Sequence, residues 1–186
     1  GNTSEFSVVM AANAPVANDD GYSVDEDDVL TVGDGSLAPH TVSTAADSPY
    51  AVYAEDIDGD GDMDLLSASN VSGTVDWHEN DGSQNFTTHT ITAAAPGADA
   101  VYAEDVDGDG DMDVLSADHA AIGWYENDGS ENFTFRSVTS TFATVNQSRS
   151  VASADVDGDG DIDLLSASTN DDKVAWYKND GNQNFT

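Results

Sequence analysis

The sequence predicts an all-β protein made of propeller-type blades, each with four antiparallel strands, in about three repeats. Three observations carry this expectation. The segments "YAVYAEDIDGDGDMDLLSAS" (50–69), "DAVYAEDVDGDGDMDVLSAD" (99–118) and "RSVASADVDGDGDIDLLSAS" (149–168) are one pattern written three times. Each is followed by a second shared block, at 75–91, 122–138 and 174–186, in which Trp77, Trp124 and Trp176 hold one position. The spacing of about 50 residues is that of architectures whose units bury their cores against one another. Within a unit the apolar residues alternate or form short β-type runs, and no capping box leads into a helical period.

The elements follow in order. Residues 1–38 carry Pro15, an Asn-Asp-Asp-Gly turn and the strand-like "VLTV" (29–32), and read as a linker with one or two strands from a neighbouring module. Residues 39–186 divide into repeats at about 45–93, 94–143 and 144–186. In the first, "AVYAE" and "DLLSAS" flank the acidic segment, and "TVDWHEN" and "QNFTTHTIT" flank Asn80-Asp81-Gly82. Asp-Gly between alternating strands predicts a two-residue hairpin turn, since both central residues can take positive φ. "PHTVST" (39–44) matches "THTITA" (88–93), so a surplus fourth strand is expected at 39–44, while the third repeat stops early in its own fourth strand. Three units are too few to close a ring, which points to a larger parent or to pairing between chains.

The 186 residues carry 37 acidic and 4 basic side chains, a formal net charge of −33. That balance excludes nucleic acid and anionic membrane surfaces as partners, because both demand a basic patch. It permits divalent cations and basic partners. With no cysteine, disulfides and thiolate metal sites are impossible. No apolar run is long enough to insert into a membrane.

Against this background the segment 55–64 is costly. Like charges roughly 4–5 Å apart repel by about 3–4 kcal/mol at an effective dielectric near 20, and no basic residue follows nearby in sequence. The spacing supplies the answer: Asp at loop positions 1, 3, 5 and 9 with Gly at 6 wraps oxygen atoms around Ca²⁺. In the first loop Asp56, Asp58 and Asp60 are expected as side-chain ligands, Gly61 as the turn, Asp62 as a carbonyl donor and Asp64 as the closing carboxylate. The second loop offers Asp105, Asp107, Asp109, Asp111 and Asp113, and the third Asp155, Asp157, Asp159, Asp161 and Asp163. An all-oxygen shell selects Ca²⁺ over softer metals, giving three expected calcium sites. Position 12 is Ser67, Ser116 or Ser166 inside a β-type run, so a helix-loop-helix site is excluded.

With these loops and the aromatic block, the chain resembles the FG-GAP/VCBS repeats of integrin-α-like propellers and many secreted bacterial proteins. The resemblance implies a β-propeller with Ca²⁺ between the first and second strands of each blade. Residues 13–32 similarly resemble a junction between bacterial cadherin-like or Ig-like domains.

The remaining motifs point away from catalysis. The chain has no Gly-x-Ser-x-Gly, His-Glu-x-x-His or phosphate-binding loop, and His40, His78, His89 and His119 share no motif. The repeated Trp positions are expected between blades, with a sugar-binding platform as the other reading. Asn-x-Ser/Thr occurs at Asn2, Asn70, Asn85, Asn132, Asn146 and Asn184, three of them in a repeated "NFT". The expected function is a non-enzymatic, calcium-stabilised module, extracellular or at the cell surface. Its expected partners are further copies of itself, other surface proteins or glycans. A carbohydrate-binding or accessory module of a secreted hydrolase is the alternative.

Overall fold

The computed structural model describes residues 39–119, 121–138 and 147–186, which form strands and no helix. The first sheet contains β1 (Pro49–Glu55), β2 (Asp64–Ser69), β3 (Thr74–Asn80) and β4 (Phe86–Thr92) in sequential order. The second contains β5 (Ala100–Glu104), β6 (Asp113–Ala117), β7 (Ile122–Asn127) and β8 (Phe133–Ser137). The third contains β9 (Ser148–Ala154), β10 (Asp163–Ser168) and β11 (Lys173–Tyr177). Every neighbouring pair is antiparallel, as short connections between sequential strands require. A fourth strand position in the third sheet is marked by the Asn179–Phe185 bridge and by Thr186, whose N–H donates to Lys178 O at 3.0 Å.

Side-chain alternation decides how these blades stack. In the first blade Ala51, Tyr53, Leu66, Ala68, Val75 and Trp77 share one face, because their strands pair them across the ladder. That face packs on Val101, Ala103, Val114 and Tyr125 of the second blade. The opposite face of the second blade, with Leu115, Ile122 and Trp124, packs in turn on Val151 and Leu164 of the third. The core is therefore two seams between blades, and no blade has an interior of its own. Trp77 and Trp124 are buried in these seams as expected, whereas Trp176 is substantially exposed.

Polar contacts reinforce the seams at the end of the strands away from the acidic loops. Asp99, just before β5, is almost fully buried and accepts from Asn70 Nδ2 of the first blade (2.7 Å) and from Arg149 of the third. His119 stands 3.4 Å away on the same carboxylate. One side chain thus joins three blades.

Two local expectations change. The Asn-Asp-Gly segments do not form two-residue turns: Asp81 N–H donates to Asn85 O at 3.1 Å, closing a longer loop. Gly82 and Gln84 take positive φ, and Asp81 does not. The Asp81 carboxylate instead caps the loop, accepting from Ser83 N (2.9 Å) and Asn85 Nδ2 (2.8 Å). Asn132 and Asn184 donate likewise to Asp128 and Asp180, so the repeated "NFT" amides are loop clamps that a glycan would have to release. Residues 39–44 form no strand. The outer position of the first blade is already held by β4, and Thr41, Val42 and Ser43 line a groove of about 260 Å³ with Val52, Leu65 and His78. The expected strands and domain junction within 1–38, and the sequons at Asn2 and Asn146, lie outside the described residues.

The seam architecture separates equivalent residues by stability effect. Ile122→Ala, in the seam between the second and third blades, is expected to cost about 2–5 kcal/mol. At low protein concentration Val174→Ala, at the equivalent position of the third blade, should stay within about 0.5 kcal/mol of wild type. Urea unfolding of both variants checks the pair.

Candidate metal centre

Each acidic loop joins the first and second strands of its blade, with Glu55 paired to Asp64, Glu104 to Asp113 and Ala154 to Asp163 at the mouth. The ninth loop position is consequently the first residue of a central strand, fully buried in all three blades. Asp64 Oδ2 accepts from Ile57 N (3.2 Å) and Trp77 Nε1 (2.8 Å), and its Oδ1 accepts from Asn80 N (2.8 Å). Asp113 takes the same backbone donors from Val106 and Asn127, and Asp163 from Val156 and Asn179.

Within the loop, each carboxylate first binds the backbone that follows it. Asp56 accepts from Gly59 N (2.9 Å) and Gly61 N (3.0 Å), Asp58 from Asp60 N (3.1 Å), and Asp60 from Asp62 N (2.8 Å). The second and third loops repeat these bonds from Asp105, Asp107 and Asp109 and from Asp155, Asp157 and Asp159. The resulting coil requires φ of 97° at Gly61, a conformation that favours glycine. Gly82 serves a different purpose, because a Cβ there would overlap the Asp62 carboxylate.

This coil brings together oxygen atoms of Asp56, Asp58 and Asp64 within 4.8 Å of one another in the first loop. The corresponding sets are Asp105, Asp107 and Asp109 in the second loop and Asp155, Asp157 and Asp163 in the third. Asp60, Asp113 and Asp159 stand outside these sets, as do Asp62, Asp111 and Asp161, whose carboxylates turn toward Gly82, Gly129 and Gly181. No histidine joins a set among the described residues; His78 is instead hydrogen-bonded to Ser67 and Thr88. Three hard oxygen donors on a loop with further carbonyls at hand fit an ion such as Ca²⁺.

The electrostatics differ among the copies. Desolvation pushes the Asp58 and Asp107 carboxyls above the usual range, and neighbouring aspartates add to the rise. Desolvation also drives Asp113 up to about 7, against the opposing N–H groups of Asn127 and Val106. The Trp124 indole only partly offsets this, since its Nε1 makes no hydrogen bond of normal geometry. At Asp163 desolvation acts in the same sense, but donation from Asn179, Val156 and Trp176 outweighs it and the carboxyl falls below its ordinary value.

The third loop also holds a group that sequence reading missed. Lys178 Nζ pairs with Asp157 and lies 3.0 Å from Asp159. Backbone donation from Asp161 N–H, followed by this ammonium, holds Asp159 below its usual range. The first two blades carry Glu79 and Glu126 at that position. The signal lay in the charge reversal within the repeat, although the 21 residues separating Lys178 from Asp157 hide the contact.

Comparison with known proteins fits this architecture. No curated protein matches the chain. Among solved structures it is similar to an Agrocybe aegerita lectin described for specific recognition of non-reducing terminal N-acetylglucosamine. The two share 19% identity with a TM-score of 0.53, over 74% of this chain and 37% of the lectin chain, a likeness of fold. The FG-GAP-like repeat matches twice, over residues 56–116 and 105–166, and each match runs from one acidic loop through the next. Together these matches span more than half of the sequence, and the chain belongs to the FG-GAP-like repeat family.

Proposed function

We propose that this protein is a non-enzymatic structural module, rigidified by Ca²⁺ and working outside the cell in adhesion, surface display or fibre building. The observation that carries this reading is the threefold gathering of carboxylates within 4.8 Å, in a chain with four basic side chains in all. The ligands proposed for each ion are the aspartates of its own loop: Asp56, Asp58, Asp60 and Asp64 with the Asp62 carbonyl, and the equivalent residues of the other two. Each ion would replace repulsion with attraction at a loop that also lines the seam. A cavity is bounded by Asp56, Asp58 and Gly59 on one side and by Gly110, Asp111 and Met112 of the next blade on the other.

Mass action turns that neutralisation into stability. Free Ca²⁺ at about 100 times the dissociation constant adds about 2.7 kcal/mol per site. Three such sites would add about 8 kcal/mol, comparable to the whole stability of an ordinary domain. Weak sites of this kind fill at extracellular and not at cytosolic calcium levels, which is the basis for the proposed location. No described helix is long and apolar enough to cross a membrane.

Self-association and contact with surface proteins or glycans remain the proposed interactions. Strand addition by 39–44 to the third blade of a neighbour would require that segment to leave its groove beside Val52 and His78. Carbohydrate binding is the second reading, supported by the lectin-like fold and by the partly exposed indole of Trp176, the one tryptophan of the three outside a seam.

Chelation with EDTA is expected to lower the melting temperature sharply, with recovery on adding Ca²⁺; an unchanged melt would remove the structural-calcium reading. Lys178→Gln should strengthen the weakest of the calcium sites in a calorimetric titration, because it removes a cation from the third loop. Equal affinities before and after that substitution would show that Lys178 does not compete. Glycan-array binding abolished by Trp176→Ala would favour the carbohydrate reading over the structural one.

A further inference from the structure

The two seams inside the chain use the same positions each time. Ile57, Val75 and Trp77 of the first blade receive Met112, Val101 and Phe133 of the second. Val106, Ile122 and Trp124 of the second blade receive Val151 and Phe185 of the third, with Ile162 across a small cavity from Val106. The aromatic contacts match: Trp77 meets Phe133 edge-on at 6.5 Å between centroids, and Trp124 meets Phe185 at 6.1 Å.

Among the described residues the same two surfaces recur exposed on the third and first blades, the latter with residues 41–43 along one side. On the third blade the receiving positions are Val156, Val174 and Trp176, exposed by 46%, 85% and 44%. On the first blade the inserting positions are Met63 and Val52, exposed by 53% and 74%, together with half-buried Phe86. Large apolar side chains exposed in register with a repeated internal seam mark an interaction surface. Lys173 and Lys178 flank the Val174–Trp176 stripe, each paired within the third blade, with Asp171 and with Asp157. The first blade has no Lys or Arg and carries Glu55, Asp76, Glu79 and a whole acidic loop.

We propose that the third blade of one copy docks on the first blade of a second copy, with Val156, Val174 and Trp176 receiving Met63, Val52 and Phe86 as their equivalents do within the chain. The contact is heterologous, so repetition yields rings or filaments according to the rotation between copies. It joins blade faces and needs no strand from 39–44. Asp76 and His78, bonded to Thr90 and Thr88 within the first blade, make this seam more polar than the internal ones, which suits reversible association. The proposal rests on the calcium reading, since docking would bring the loops at Asp155 and Gly61 to a shared seam as 56–59 and 110–112 are now.

Sedimentation velocity of the full chain in millimolar calcium tests it. Species larger than the monomer should grow with concentration, and Val174→Asp or Val52→Asp should each weaken association by at least about tenfold. Both exposed sites should leave the calcium-dependent melt unchanged, which separates lost docking from lost folding. A mixture of the two variants retains one intact face of each kind and should stop at dimers. A chain monomeric at every concentration, or a mixture no larger than its components, overturns the docking proposal even with the calcium response intact. A melt indifferent to calcium would instead overturn the reading on which it rests.

Discussion

A buried carboxylate at the head of each second strand is the constraint around which the blade is organised. Burying an ionised group without partners is prohibitive, so its lone pairs must find donors. Asp64 finds them on three separate segments: the start of its own loop at Ile57, the indole of Trp77, and the end of β3 at Asn80. Loop closure, strand pairing and placement of the seam tryptophan are thereby coupled through one side chain. The same bonds hold this carboxylate beside two further aspartates, Asp56 and Asp58.

The three blades share this scheme but differ electrostatically. In the first two loops no described carboxylate is ion-paired, the nearby Arg136 being bound to Glu126, and burial lifts Asp58 and Asp107. Asp113 lacks the indole bond that Asp64 has, and its proton is held to about pH 7. The third loop carries its own ammonium, Lys178, where the other copies place glutamates. A single repeat pattern therefore encodes sites of unequal cation demand, and the difference arises at positions outside the Asp-rich motif.

Much of this was legible along the chain. The alternation in "AVYAE" and "TVDWHEN" located β1 and β3, and the register of Asp56, Asp105 and Asp155 located the three loops. The Asn-Asp-Gly segments marked chain reversals correctly but not their form, because side-chain capping by Asp81 replaced the positive φ that a two-residue turn would need. Residues 39–44 matched a β4-like sequence, yet they form no strand, and Thr41, Val42 and Ser43 lie instead along the groove beside Val52 and His78.

By itself the sequence determined what depends on local spacing: the β period, the repeat, the composition of each acidic loop and the shortage of cations to balance it. Only the tertiary structure decided which copies of an equivalent residue are buried. Val75 and Val174, or Trp77 and Trp176, are alike in their surroundings along the chain but not in space. Burial in stacked blades is a property of the neighbouring face, and ion pairs such as Lys178 with Asp157 depend on distances that sequence separation does not report.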